Sequence, residues 1–209
     1  MLSGEFTNSK NGSPRHCLKP TAAAVLLAVA TLTAACSGSL FKVKPATALA
    51  PLPDNAAMVN LGSVSFRAAP LLTDEETQEL FDSNFQLAGL LPVRVQVAHN
   101  SGDAVDLRKV HFRLHDHSGM EWKAITYKQA ISRIMKANGV SIYTPNSRKT
   151  FEKEFRAYEL DLKTPLTHAE RRRQGVVIFL SPKKTSIASP HGLVLAIDGL
   201  AQPVMLNLN

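Results

Sequence analysis

Between Thr21 and Ala35 the chain carries 15 residues without a charge, and a lone cysteine, Cys36, closes the run. A helix needs about 20 apolar residues to cross the ~30 Å hydrocarbon core of a bilayer. This run is too short to span, and its alanines and threonines make it only weakly apolar. Basic Lys10, Arg15 and Lys19 precede it and small residues end it. Basic, apolar and small-residue zones in that order form the pattern of a secretory signal. The run therefore divides the chain: whatever folds is expected from the residues after it.

The end of the run is more specific. Leu32-Thr33-Ala34-Ala35-Cys36 resembles the lipobox of bacterial lipoproteins, in which an aliphatic residue and two small ones lead to a cysteine. Thr33 stands where the family usually has leucine, and Leu32 lies one residue early. The resemblance implies cleavage before Cys36, diacylglycerol on its thiol, and a cell-envelope address. That address is the outer membrane facing the periplasm, in preference to the inner. Residues 1–35 are then a signal peptide. Residues 36–57, with Lys42, Lys44, Pro45, Pro51 and Pro53 among alanines, read as a flexible tether.

Past Cys36 there are no cysteines. Neither a disulfide framework nor a thiolate metal site is available to the mature domain, whose fold must rest on packing. Removing residues 1–35 leaves 21 basic and 16 acidic residues, a net of +5. That balance favours acidic surfaces such as lipid headgroups but carries no nucleic-acid motif.

From Val59 onward the pattern is periodic. Val64, Phe66 and Ala68 alternate with polar residues. Val93, Val95 and Val97 do the same against Arg94 and Gln96, the clearest strand in the chain. Val105 and Leu107, then Val110, Phe112 and Leu114, predict one strand with a change of parity that implies a bulge. A short strand around Trp122 and three more at 175–180, 192–198 and 203–208 bring the total to about seven. Helical signals interrupt them. Thr73-Asp-Glu-Glu76 is a capping box for a short helix through Phe81. From Thr126 the period becomes 3.6, with Ala130, Ile131, Ile134 and Met135 on one face and Asn138-Gly139 as a stop. Asn146 is the expected cap of a second helix, whose apolar stripe is Phe151, Phe155 and Tyr158 or Leu162.

Strands without regular strand–helix alternation predict a mainly β chain: an antiparallel β-sandwich over 58–209 with a helical insertion at roughly 126–160. A second resemblance points the same way. Phe81-Asp82, the run Ala88-Gly-Leu-Leu-Pro-Val-Arg-Val-Gln-Val97, Asn100-Ser-Gly102 and Gly175-Val-Val-Ile-Phe179 are similar to a recurring bacterial lipoprotein domain of immunoglobulin-like fold. That resemblance implies the sandwich and carries no activity with it.

Candidate sites are few. His111, His115 and His117 share one parity along a strand, as three metal-ligating imidazoles would. Arg113 lies between them, however, and a solvated polar face is the preferred reading. No Gly-x-Ser-x-Gly elbow or Ser-x-x-Lys motif is present, and no catalytic residue, metal or cofactor is assigned. Asp82 and Asp103 read as turn formers and Trp122 as core. Arg171, Arg172 and Arg173 with Lys183 and Lys184 bracket one strand, a candidate patch for an anionic surface. The expected function is a non-catalytic structural or interaction module, anchored to a membrane by lipid on Cys36 and binding another envelope protein. The alternative is a carrier or sensor holding a small apolar ligand between sheet and helical insert. A cavity of about 300 Å³ or more would separate the second from the first.

Overall fold

Alternation of apolar and polar residues builds eight strands in the computed structural model, which describes residues 40–209 apart from Ile142, Ser189 and Ala201. They are β1 (Ala57–Leu61), β2 (Val64–Pro70), β3 (Leu90–His99), β4 (His111–His115), β5 (Glu121–Ile125), β6 (Arg172–Leu180), β7 (Val194–Asp198) and β8 (Val204–Asn207). Three helices join them: α1 (Asp74–Phe81), α2 (Tyr127–Ala137) and α3 (Pro145–Arg156).

The chain is mainly β, but the sandwich expectation is corrected. All eight strands belong to one sheet, in the order β1-β2-β3-β6-β5-β4-β7-β8, with every neighbour antiparallel. The two ends of that order, β1 and β8, come back into contact, so the sheet curls into a nearly closed barrel. The eighth strand is β1. In the sequence Ala-Met-Val-Asn-Leu three half-buried residues alternate with exposed Met58 and Asn60, and an apolar residue on the exposed side blurs the strand pattern. The bulged strand predicted over 105–114 is also corrected. Only His111–His115 is strand, while Val105 makes a single bridge to Leu166 and Val110 N–H closes a turn onto the Leu107 carbonyl.

Curling gives the sheet two apolar faces. Inside the barrel pack aliphatic side chains from alternate strand positions, among them Val93, Val95 and Val97 of β3, Leu114 of β4 and Ile197 of β7, with Phe66, Trp122 and Phe179. On the outside, the helices cover β3 and β6 with an aromatic-rich cluster: Phe81, Phe85, Phe151, Phe155 and Tyr158, with Ile131, Ile134 and Met135, over Leu90, Val176 and Ile178. Strand β6 feeds both faces, Val177 and Phe179 turning inward, Val176 and Ile178 outward. Its near-continuous apolar run reflects that double burial.

The helices begin where their caps dictate. Thr73 and Glu76 form a reciprocal capping box on α1, as do Thr126 and Gln129 on α2. The four residues expected on the inner face of α2 are its buried ones. For α3 the cap is Thr144, not Asn146: its hydroxyl accepts the Ser147 N–H and Pro145 fills the first helical position, where a missing N–H costs nothing.

From residue 40 the segment expected as a flexible tether lies on the domain. Phe41 is buried with its ring centroid 4.8 Å from that of Phe151. Lys44 N–H donates to the Leu80 carbonyl at 2.9 Å, and Tyr158 Oη donates back to the Lys44 carbonyl at 2.7 Å. Further on, the Ala50 carbonyl accepts from Arg94 and Gln174, and buried Leu52 precedes β1. The segment is a strap over the outer face of the sheet.

Candidate functional site

The barrel wall forks at one place. Next to their tight turn, β4 and β5 pair at Leu114–Trp122 and His115–Glu121. Strand β5 then leaves β4 and pairs with β6, Lys123 to Ile125 against Leu180 to Ile178. Beyond the fork the gap between β4 and β6 is partly filled by the chain leaving α3. There Val176 N–H donates to the Tyr158 carbonyl at 2.7 Å, and Glu159 bridges Val176 in parallel. Gly175 makes this approach possible, since a Cβ on it would stand 2.5 Å from Leu160 Cα.

What stays unfilled is a half-open cleft of about 260 Å³. Its sides are Val110 and Phe112 before and on β4, Ala124 and Ile125 at the fork, and Val176 to Ile178 on β6. Tyr127 of α2, Phe155 of α3 and Tyr158 cover it, and exposed His111 and Glu159 stand at the mouth. Burial pushes the Tyr158 phenol above its usual pKa, which keeps it a neutral donor to the strap.

Two features give the cleft binding character. Its walls are mainly apolar and aromatic, with His111 and Glu159 as polar groups. It also borders a strand edge: Asp116 N–H bonds the Met120 carbonyl in the β4–β5 turn. Backbone groups alternate sides along an antiparallel strand, so those of Leu114 and Phe112 point the same way. β5 meets Leu114 but has departed before Phe112.

The residues singled out in the sequence fall elsewhere. Cys36 lies outside the described residues. Arg171, Arg172 and Arg173 lie at the start of β6, and Lys183 and Lys184 lie beyond its end, about 26 Å away for nine strand residues. The structure does not bring these five together as one patch. Arg173 turns into the barrel, 8% exposed, where its Nε and Nη2 hold Glu170 at 2.8 and 2.5 Å. Its Nη1 donates to the carbonyls of Asp161 and Thr164. Lys183 and Lys184 are exposed beside α2, where Arg133 donates to the Lys184 carbonyl at 2.6 Å.

The three histidines do not converge either. His111 and His115 flank Arg113, which pairs with Asp198 at 2.8 Å and Glu121 at 3.7 Å. His117, in the turn, stacks on His191 with centroids 4.2 Å apart. Among the described residues no three His, Cys, Asp or Glu side chains gather to hold a metal. Asp82 ends α1 in the left-handed conformation at φ 53°, and Trp122 is core, its Nε1 donating to Asp116 at 3.0 Å.

Comparison with known proteins finds no matching family, no matching curated protein and no matching solved structure. The cleft thus stands on its own geometry. Phe155 and Tyr158 are legible in the sequence only as apolar residues and Tyr127 not at all, because nothing in a linear pattern marks where β5 will leave β4.

Proposed function

We propose that this is a membrane-anchored cell-envelope module that acts by holding a partner polypeptide, with the forked cleft as its contact site. One observation carries the reading: an apolar hole lies directly beside Phe112, the residue of β4 whose β5-facing backbone groups β5 has left. An extended segment can hydrogen-bond along such an edge while a side chain drops into the adjacent pocket, the mode called strand addition. A volume of about 260 Å³ is below the usual range of roughly 300–1,000 Å³ for enclosed small-molecule sites. It is ample for one large apolar side chain. The anchor in this reading is lipid on Cys36, supported by the short apolar run and the small residues before it.

A second reading, a carrier of a small apolar ligand between sheet and helical insert, is favoured by the position of the cleft under Tyr127 and Phe155.

One experiment separates the two. A photo-crosslinking residue at His111, at the mouth, is introduced into the full chain in its native membranes, with and without Ala124→Trp. Ala124 is exposed and lines the cleft, so the indole fills the hole without entering the core. A crosslinked polypeptide that disappears in the Trp variant supports strand addition. A co-purifying small molecule, seen as added mass under native conditions and lost in the same variant, supports the carrier. Neither adduct nor added mass in the parent protein removes the cleft as the working site.

A further inference from the structure

The two basic helices hold the charge of the whole domain. Together α2 and α3 contain seven basic residues and two acidic ones, a net of +5, equal to that of everything after residue 35. Helix α1, by contrast, has four acids and no base. The strap fixes where the chain from Cys36 meets this layer. Lys44 N–H bonds the Leu80 carbonyl and Lys42 N–H bonds Asp82 Oδ2 at 3.0 Å. The strap therefore runs antiparallel to the end of α1, and each step toward residue 40 moves it along 80, 82 and toward 84. Asn84 is locked to the end of α2: its N–H donates to Asn138 Oδ1 and its carbonyl accepts from Asn138 Nδ2, both at 3.3 Å. Leu40, two residues before Lys42, thus meets the outer cluster toward the end of α1 that carries Asp82.

That end of the helix layer has the surface of a headgroup contact. Leu87 is 50% exposed and shares a shallow depression with Arg133, Lys136 and Lys184. Exposed Lys42 and Lys183 belong to the same end. The acids there are Asp82, whose carboxylate accepts the strap, and Glu79, one turn back and paired with Lys44 at 2.7 Å. Three residues separate Cys36 from Leu40, so the four steps between them reach no more than about 14 Å at ~3.3–3.6 Å per residue.

We propose that this end of the domain, with Leu87 at its centre and Lys42, Lys136, Lys183 and Lys184 around it, lies against the anionic headgroups of the leaflet that holds the lipid on Cys36. The inference rests on the anchor in the function proposed above. A tether that short keeps the domain within about 14 Å of the lipid, close enough for one face to meet the headgroups. The basic, leucine-tipped end is the one the chain enters. The opposite end, about 30 Å along the ten residues of β3, then points away, with the 100–103 turn at its tip. Basic residues near an anionic surface bind it electrostatically, each adding about a fivefold gain.

The test uses the mature lipidated chain in vesicles of phosphatidylglycerol and phosphatidylethanolamine, and in phosphatidylcholine alone. With Cys36 acylated and Cys17 in the expected signal peptide, Leu87→Cys or Ser101→Cys supplies one free thiol for a fluorophore. Lipids carrying a headgroup nitroxide report proximity. The expected result is at least several-fold stronger quenching at position 87 than at 101 in the anionic vesicles. That difference shrinks in phosphatidylcholine, and also in Lys136→Glu/Lys183→Glu, which keeps its lipid and its melting temperature. Equal quenching at the two positions in a protein whose mass shows the acyl chains overturns the orientation alone. A mature protein with no acyl mass on Cys36 overturns the anchor and the orientation together.

Discussion

The two faces of the one sheet are packed in different ways. Inside the barrel the side chains are mostly Val, Leu and Ile, delivered every second residue by the strands themselves. Outside, under the helices, six of the fifteen buried residues among those described are aromatic, and these rings come from separate places in the chain. Phe41 comes from the strap, Phe81 from α1, Phe85 from the loop after it, Phe151 and Phe155 from α3, and Tyr158 from the turn that follows. The Phe81 ring lies 4.8 Å from Phe85, 5.4 Å from Phe155 and 4.7 Å from Tyr158, centroid to centroid. A barrel interior can be filled by repetition, because alternation is built into a strand. A helix-covered outer face needs fewer, larger groups that meet from a distance, and rings suit that role because each buries a large area. The cleft lies where the two systems join, at the fork between β4 and β5.

The comparison breaks most visibly at Phe81. Phe81→Ala removes the hub of the outer cluster and is expected to cost about 3–5 kcal/mol. Leu114→Ala, inside the barrel, falls in the range of about 2–5 kcal/mol. Because β3 and β6 contribute to both faces, both variants should unfold in a single transition. Trp122 is the only tryptophan and reports on the interior, while far-ultraviolet dichroism reports mainly on the helices. Urea curves from the two probes should coincide in each variant. Helical signal lost at lower urea than Trp122 fluorescence in Phe81→Ala would make the outer layer an independent unit.

Gly175→Val tests the seam between the faces. A side chain there meets Leu160 and has to displace the 158–160 segment from β6. Overpacking of this kind costs about 1–3 kcal/mol. Its distinguishing signature is local: the Val176 amide, bonded to the Tyr158 carbonyl, should exchange with solvent far faster, while that of Val95 changes only by the global loss. Unchanged exchange at Val176 would mean that the cleft wall does not depend on the glycine.

How much of this was legible follows the same division. Alternation at Val93, Val95 and Val97 marks β3 because both the pattern and its cause are local. The capping box of Thr73 with Glu76 and the apolar face of α2 are local as well. Sheet closure is not. Whether strands make two stacked sheets or one curled sheet depends on which strands are neighbours, and the β3–β6 pairing joins residues about eighty apart in sequence. The strap was read as a spacer because its prolines and alanines have no period. Phe41 and Leu52 are single anchors whose partners lie far along the chain. Arg171 to Arg173 and Lys183 with Lys184 make a candidate patch in sequence because they lie near one another along the chain, although a strand carries its ends apart.

A smaller effect is expected at the start of α2. Thr126→Ala removes the hydroxyl that accepts the Gln129 N–H and half of the capping box, at a cost of about 1 kcal/mol in urea unfolding. The helix should remain, because Ala130, Ile131, Ile134 and Met135 hold it to the sheet. A loss much greater than that would mean that α2 is held more by its cap than by packing.

The smallest effect separates the interior from the outer face by pH. At the mouth of the barrel, Glu170 takes two hydrogen bonds from the Arg173 guanidinium, which hold its carboxyl below the usual pKa against a weaker opposing effect of burial. Over the interval between the depressed folded value and the ordinary value of 4.5, the unfolded chain binds more protons than the folded one. Stability therefore rises with pH across that interval. The contribution is fully present above the unfolded value and is lost as pH falls through the folded one. The Glu170 side chain is 47% exposed, so solvent screening limits the effect to less than about 1 kcal/mol. Glu170→Gln should destabilise the protein slightly near neutral pH and no longer do so in acid below the depressed folded value, where the parent has lost the same interaction. Depressed carboxylates elsewhere, Asp106 and Asp198 among them, shift both proteins alike and cancel in the difference. The measurement is the urea midpoint of parent and variant at both pH values. A gap that persists unchanged in acid would mean that Glu170 contributes through packing or a neutral hydrogen bond rather than through its charge, and that the barrel mouth is no more pH-sensitive than the aromatic face outside it.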